Sequence, residues 1–346
     1  MAIIDKPTDY FNTVLYTGTG SSNTVDVGFE PNLTWIKNKG TESHCLFDTV
    51  RTNGYYLKSD ANSAEINGSS GGSGLWSAFT SNGFTVLNGN RTNDNGDSYV
   101  SWNWKAGTSF TNDASATGIG SIDSTGSVNT DAGFSIISYT GTASAATVAH
   151  GLGAVPKMII VKTRGGSGDW SVYHSSLGNT KNLKLNTTAA QQTSASYWNN
   201  TTPTSSVFTI NDEGNVNGSS VAMIAYCFAN TSMSKFGSYT GNGNADGTFV
   251  YTGFKPAFVM VKQTTARYWV MFDNKRDGFN PTNRPLFPNA SDQESDSVNY
   301  YHDILSNGFK WRTNVTIMNE SGGSYIYMCF AESPFVSSSG VPATAR

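Results

Sequence analysis

The sequence predicts an all-β protein made of three tandem β-sandwich modules, jelly-roll or lectin-like. Three observations carry that expectation. Only 14% of the 346 residues are charged, so much of the polar surface falls to Gly, Ser, Thr and Asn, which favour turns and disfavour helix interiors. Aromatic residues make up 12%; they recur in short β-branched runs such as Phe134 to Tyr139 and Phe249 to Tyr251, as strand cores require. The chain also repeats one plan three times, a period that points to a reused structural unit.

Each copy opens on Tyr-Thr-Gly, at Tyr16, Tyr139 and Tyr239, where the ring closes a strand and the glycine permits a tight turn. A Gly and Pro marker follows: Gly28, Phe29 and Pro31, then Gly151, Leu152 and Pro156, then Gly253, Phe254 and Pro256. Proline cannot donate to a ladder, so the next strand begins there. That strand ends on a lysine in every copy, at Lys37, Lys162 and Lys262. An alternating segment comes next, at Cys45 to Asp48, Trp170 to His174 and Trp269 to Asp273, a pattern suited to a half-buried strand. Ser81 to Phe84 and Ser306 to Phe309 share Ser-Asn-Gly-Phe, and Ser206 to Phe208 is a weak middle counterpart. Every copy closes on an aromatic strand, at Tyr99 to Lys105, Ala222 to Phe228 and Tyr325 to Phe330.

These markers set the predicted boundaries: an N-terminal attachment arm over 1–12, modules over 13–106, 133–230 and 235–335, and a C-terminal tail over 336–346. Residues 107–132 are rich in Gly, Ser, Thr, Asp and Asn and read as a linker, making the first two modules separable. The short gap from Phe228 to Tyr239 predicts that the second and third pack closely. Unattached ends are usually disordered, so both termini are expected to be held by neighbouring subunits.

The net charge is -3, without the basic field that nucleic-acid binding needs. Cys45, Cys227 and Cys329 are far apart and odd in number, so no disulfide framework is expected; Cys227 and Cys329 read as small buried hydrophobes at equivalent positions. Met1 to Tyr10 lacks the apolar run of a signal peptide or membrane span. His44, His150, His174 and His302 show no zinc spacing, and neither a metal nor a cofactor is expected. Asn93 to Asp97 lacks the Glu of a calcium loop and reads as a polar turn, and Asp292, Glu294 and Asp296 as a solvated acidic loop. Asp48 with Arg51, and Asp273 with Arg276, recur beside the same strand as structural salt bridges. Trp102 and Trp104 are assigned to packing. For ligand binding the candidates are Trp76, Tyr197, Trp198, Tyr300 and Tyr301, aromatics in loop-rich parts that could give a glycan an apolar platform.

Several words carry a family resemblance: Asp5-Lys6-Pro7, Tyr10 to Thr13, Leu15 to Gly20, Phe47 to Arg51, Trp102 to Gly107, Tyr226 to Ala229 and Lys235 to Gly243. Over essentially the whole chain the sequence resembles proteins encoded by marine tailed phages, often labelled tail fibre or lectin-like. The resemblance implies a virion surface protein assembled in the host cytoplasm, with other virion proteins as partners. It supplies no catalytic residues, and the expected protein is not an enzyme. A tail fibre or receptor-binding appendage is the first expectation, with a homo-oligomer, preferably a trimer, and a host surface glycan as possible ligand. A capsid decoration protein or head fibre is the alternative, and a glycan depolymerase, which needs paired carboxylates, comes third.

Overall fold

The computed structural model describes residues 3–69 and 74–344; the first two residues of the expected arm and the last two of the expected tail lie outside the described residues. The architecture is all-β, in antiparallel sheets. Its α-helices, Ala114–Thr117, Ala195–Trp198, Gly214–Asn217 and Thr316–Asn319, are single turns.

The first stretch carries β1 (Phe11–Thr17), β2 (Asn23–Asp26), β3 (Leu33–Asn38), β4 (Cys45–Asp48), β5 (Tyr55–Leu57), β6 (Ile66–Asn67), β7 (Trp76–Thr80), β8 (Gly83–Val86) and β9 (Ser98–Trp104). They form a large sheet ordered β1-β9-β3-β4-β5-β6 and a small one ordered β2-β8-β7. The second stretch carries β10 (Thr108–Asn112), β11 (Ser124–Asn129), β12 (Phe134–Thr140), β13 (Ala146–Ala149), β14 (Met158–Thr163), β15 (Ser171–His174), β16 (Lys181–Lys184), β17 (Gln192–Thr193), β18 (Val207–Ile210) and β19 (Ala222–Phe228). Their order is β10-β11-β12-β19-β14-β15-β16-β17, with β13-β18 as the small sheet. The third carries β20 (Ser234–Thr240), β21 (Phe249–Tyr251), β22 (Phe254–Gln263), β23 (Trp269–Asp273), β24 (His302–Leu305), β25 (Gly308–Trp311) and β26 (Ser324–Pro334), ordered β20-β26-β22-β23 and β21-β25-β24. One strand order thus occurs three times, as β1-β9-β3-β4, β12-β19-β14-β15 and β20-β26-β22-β23.

Two-residue periodicity decides where side chains go. In β19, Ile224, Tyr226 and Phe228 join a central apolar cluster, while Met223, Ala225 and Cys227 join the cluster between the large and small sheets. Each large sheet turns one face to the central cluster, which takes Trp102 and Trp104 from the first, Tyr226 and Phe228 from the second, and Met328 and Phe330 from the third. Trp104, Phe228 and Phe330 meet pairwise, with ring centroids 6.5, 5.6 and 6.0 Å apart. Because the first two sheet pairs share this core, they are not separable as the polar composition of 107–132 suggested.

Residues 107–132 are not a linker either: β10 and β11 lie there and extend the second large sheet beyond β12. Small polar residues suit an edge hairpin because little side-chain burial is asked of them; Thr108, Ser109, Thr111 and Thr125 are exposed. The expected arm is likewise folded onto the body. Pro7 and Phe11 are buried, the Ile4 amide donates to Ser232 Oγ at 3.0 Å, and the Asp5 carboxylate accepts from the amide and hydroxyl of Ser338. The two ends are tied to each other.

The Tyr-Thr-Gly signature has a specific physical basis. The hydroxyls of Tyr16, Tyr139 and Tyr239 donate to the carbonyls of Thr92, Val216 and Met318 at 2.6, 2.6 and 2.7 Å. Each acceptor precedes a fully buried asparagine, Asn93, Asn217 or Asn319. These side chains accept from the amides of Thr19, Thr142 and Asn242 and donate to the carbonyls of Ser21, Ser144 and Asn244. A Cβ on Gly18, Gly141 or Gly241 would lie 1.9, 2.2 or 2.3 Å from the carbonyl oxygen of Asp94, Gly218 or Glu320. Close backbone approach, not only turn formation, demands the glycine.

Candidate functional site

In β3, β14 and β22 the lysine is the last residue but one, and alternation places Lys37, like Leu33 and Trp35, on the face toward the central cluster. Lys37, Lys162 and Lys262 are all fully buried. Each Nζ donates to the carbonyl of the next residue, Asn38, Thr163 or Gln263, and to a second carbonyl, that of Gly40, Asn62 or Thr265. Burial pushes their pKa values down to about 8, 8 and 7, because desolvation disfavours the ammonium form.

Around these lysines the sheet pairs are linked in a closed ring. The backbone amides of Glu65, Gln191 and Glu294 donate to the carbonyls of Arg164, Thr264 and Lys39, at 3.0, 2.8 and 2.8 Å; each acceptor stands two residues after a buried lysine. Trp170 Nε1 reaches Lys58 O and Trp269 Nε1 reaches Lys184 O, both at 2.9 Å. His44 stands at the corresponding place before β4. Its Nδ1 accepts from Trp35 Nε1 at 2.9 Å, which leaves Nε2 to donate to Phe287 O at 3.0 Å. The contacts therefore run first to second, second to third, and third back to first.

A second ring runs through the last residue of β4, β15 and β23. Asp48 Oδ2 accepts from the Tyr226 hydroxyl at 2.7 Å, His174 Nε2 lies 3.2 Å from Tyr327 O, and Asp273 Oδ2 accepts from Trp102 Nε1 at 3.2 Å. The two aspartates are the ones the sequence paired with arginines. Arg51 Nε lies 2.7 Å from Asp48 Oδ2 and Arg276 Nε 2.6 Å from Asp273 Oδ2, all four side chains being buried. Arg51 also donates through Nη2 to Leu46 O at 2.7 Å, and Arg276 through Nη1 to Glu294 at 3.2 Å. The chemistry is architectural: each carboxylate ties a turn, an arginine and a neighbouring sheet together.

The aromatic candidates divide. Trp76 and Trp198 are each 1% exposed and Tyr197 5%, so these three cannot serve as platforms. Trp76 stacks on Phe47 at 4.2 Å and donates to Asn53; Tyr197 and Trp198 belong to the core of the second sheet pair. The short-helix backbone that turns them inward was not legible in a loop-rich stretch. Tyr300 is half-buried against Phe287. Tyr301 lines an open cleft of about 450 Å³ with Asp277, Phe279, Asn283, Arg284 and Asp296.

That cleft sits on the long connection from β23 to β24, and Phe279, at 76%, is the most exposed of the large apolar residues described. Sequence reasoning missed it, although a lone Phe among the turn residues Gly278, Asn280 and Pro281 is a legible signal. The acidic loop is not simply solvated: Glu294 pairs with Lys39 at 2.8 Å and Asp296 with Arg284 at 2.7 Å. Among the described residues no His, Cys, Asp and Glu cluster suited to a metal ion occurs. All four histidines and all three cysteines are buried, and burial pushes His150 and His174 down to about 4 and His302 to about 3.

No helix among the described residues is long and apolar enough to cross a membrane. No curated protein and no solved structure matches the chain. A family model does match, over residues 6–334, and the chain belongs to that family, a domain of unknown function (DUF7483).

Proposed function

We propose that this protein is a structural component of a virus particle, displayed at its surface as a tail fibre or receptor-binding appendage. The observation that supports the reading most is the ring itself. Its aromatic, acidic and basic side chains are spent on joining three sheet pairs into one block, as Trp170, Trp269 and His44 do from corresponding positions. On this reading the three sheet pairs are copies of one sandwich-like building block, and a homo-trimer would set three such three-copy chains side by side.

A capsid decoration protein or head fibre is the second reading, favoured by the contact between Asp5 and Ser338. That contact brings the first and last described stretches to one place, as a single anchoring face would require. Labelling the C-terminus with gold on intact particles tests both, since the label would mark the tail under the first reading and the head under the second. Particles that carry no label, from a host making the labelled protein, would refute the virion role. Light scattering of the purified protein checks the trimer.

A further inference from the structure

We propose that the cleft on the connection between β23 and β24 is a binding site for a neutral sugar. The inference deepens the receptor-binding reading and rests on it only for where the sugar would be met. Phe279 supplies the apolar surface: the residue is 76% exposed in a protein that packs most of its aromatics. Sugar rings present C–H faces that stack on such a surface, while their hydroxyls need paired donors and acceptors beside it. Arg284, Asp277, Asn283, Asp296 and Tyr301 line the same cleft, whose volume of about 450 Å³ falls within the range that small ligands occupy.

The cleft is built in advance. Asp277 Oδ2 accepts from the amides of Asn283 and Arg284 at 2.9 and 3.2 Å. The Asn280 side chain brackets Ile304, donating to its carbonyl at 2.8 Å and accepting from its amide at 2.9 Å, and Thr282 exchanges backbone hydrogen bonds with His302. Phe279 therefore projects from a loop fixed on both sides, which lowers the ordering cost of binding.

Charge selects the class of sugar. Arg276 is paired with Asp273 and Glu294, and Arg284 lies 3.1 Å from Asp277, 2.7 Å from Asp296 and 3.5 Å from Glu294. The cleft itself is lined by two carboxylates, Asp277 and Asp296, and two guanidinium groups, Arg276 and Arg284, and both guanidinium groups are already paired, so an acidic sugar would find no unpaired cation there while a neutral one needs none.

The test uses the purified full chain on an array carrying neutral and acidic glycans, followed by calorimetric titration of the strongest neutral oligosaccharide. Binding to neutral glycans is expected, weakened by roughly three- to tenfold or more in Phe279→Ala, the range for loss of an aromatic contact. Phe279→Ala should melt with the wild type because its ring is exposed; Asp296→Asn, which keeps the shape of the cleft, should change selectivity among hydroxyl patterns. An array without neutral hits, a preference for acidic glycans, or equal binding by Phe279→Ala would overturn the proposal. These readouts need no particle, so their failure is distinguishable from a failed gold label.

Discussion

Ala143 holds a backbone φ of 56° in the loop where Gly20 and Gly243 stand at the corresponding positions, with φ of 63° and 65°. A left-handed conformation costs an L-residue about 1–2 kcal/mol, whereas the extra freedom of an unfolded glycine costs about 0.5–1 kcal/mol. Ala143→Gly is therefore expected to stabilise the protein by about 0.5 kcal/mol, read as a higher melting temperature; a lower one would contradict the assignment. Asp48 lies at the other extreme. Truncating it to Ala leaves the buried Arg51 guanidinium with Glu65, 3.8 Å away, as its remaining carboxylate and takes the acceptor from the Tyr226 hydroxyl, and a loss of up to about 3–5 kcal/mol in denaturant unfolding is expected for a buried charge robbed of its close partner. Both aspartate–arginine pairs were legible because they recur at one spacing beside one strand. Their third partners, Tyr226 and Trp102, were not, since nothing local in a sequence says which sheet faces which.

Strands were the most legible elements, because alternation of apolar and polar residues identifies them wherever one face is buried. Composition misled where that demand is absent. Thr108 to Asn112 and Ser124 to Asn129 bury few large side chains, so they read as linker while pairing in full register with each other, the second also with β12. A structural consequence distinguishes the two descriptions. Amides of β11, held between β10 and β12, should exchange with solvent nearly as slowly as those of β12, and amides of the edge strand β10 faster. Exchange of both at the rate of an unstructured chain would contradict the hairpin. Among the described residues the same extension has no counterpart beside β1 or β20, each of which ends its sheet; the sheet pairs share an order of strands but not a finished edge. Tyr300 and Tyr301 were read in a loop-rich part of the third copy, beside Phe279, and Trp76, Tyr197 and Trp198 were read the same way in the first and second copies, yet these three lie in the cores, because an aromatic residue looks the same in sequence whichever way its backbone turns it.

At the level of the whole molecule, the buried ionisable groups make stability depend on pH in both directions from neutrality. The histidines stay neutral when folded, with values near 4, 4 and 3 for His150, His174 and His302. Below pH 6.5 the unfolded chain binds more protons, so stability is lost as pH falls from 6.5 toward 5. Lys262 titrates at about 7 when folded, below its ordinary value of 10.5. Between those values the unfolded chain again binds more protons, so its contribution rises with pH. From pH 7 to 8.5, before the buried thiols oppose the trend, the melting temperature of the wild type should gain on that of Lys262→Met; parallel curves would show that Lys262 titrates normally. Because the rings connect each sheet pair to both others, calorimetry should record one transition. The hydrogen bonds from Ser338 to Asp5 carry a further consequence. A backbone in which Asp5 already touches Ser338 can be spliced near there by a short peptide and cut instead at the exposed Gly107, starting translation at the second sheet pair and finishing with the first. Such a permuted polypeptide should melt close to the parent, since the order of synthesis would change while every clasp around the circle stayed in place.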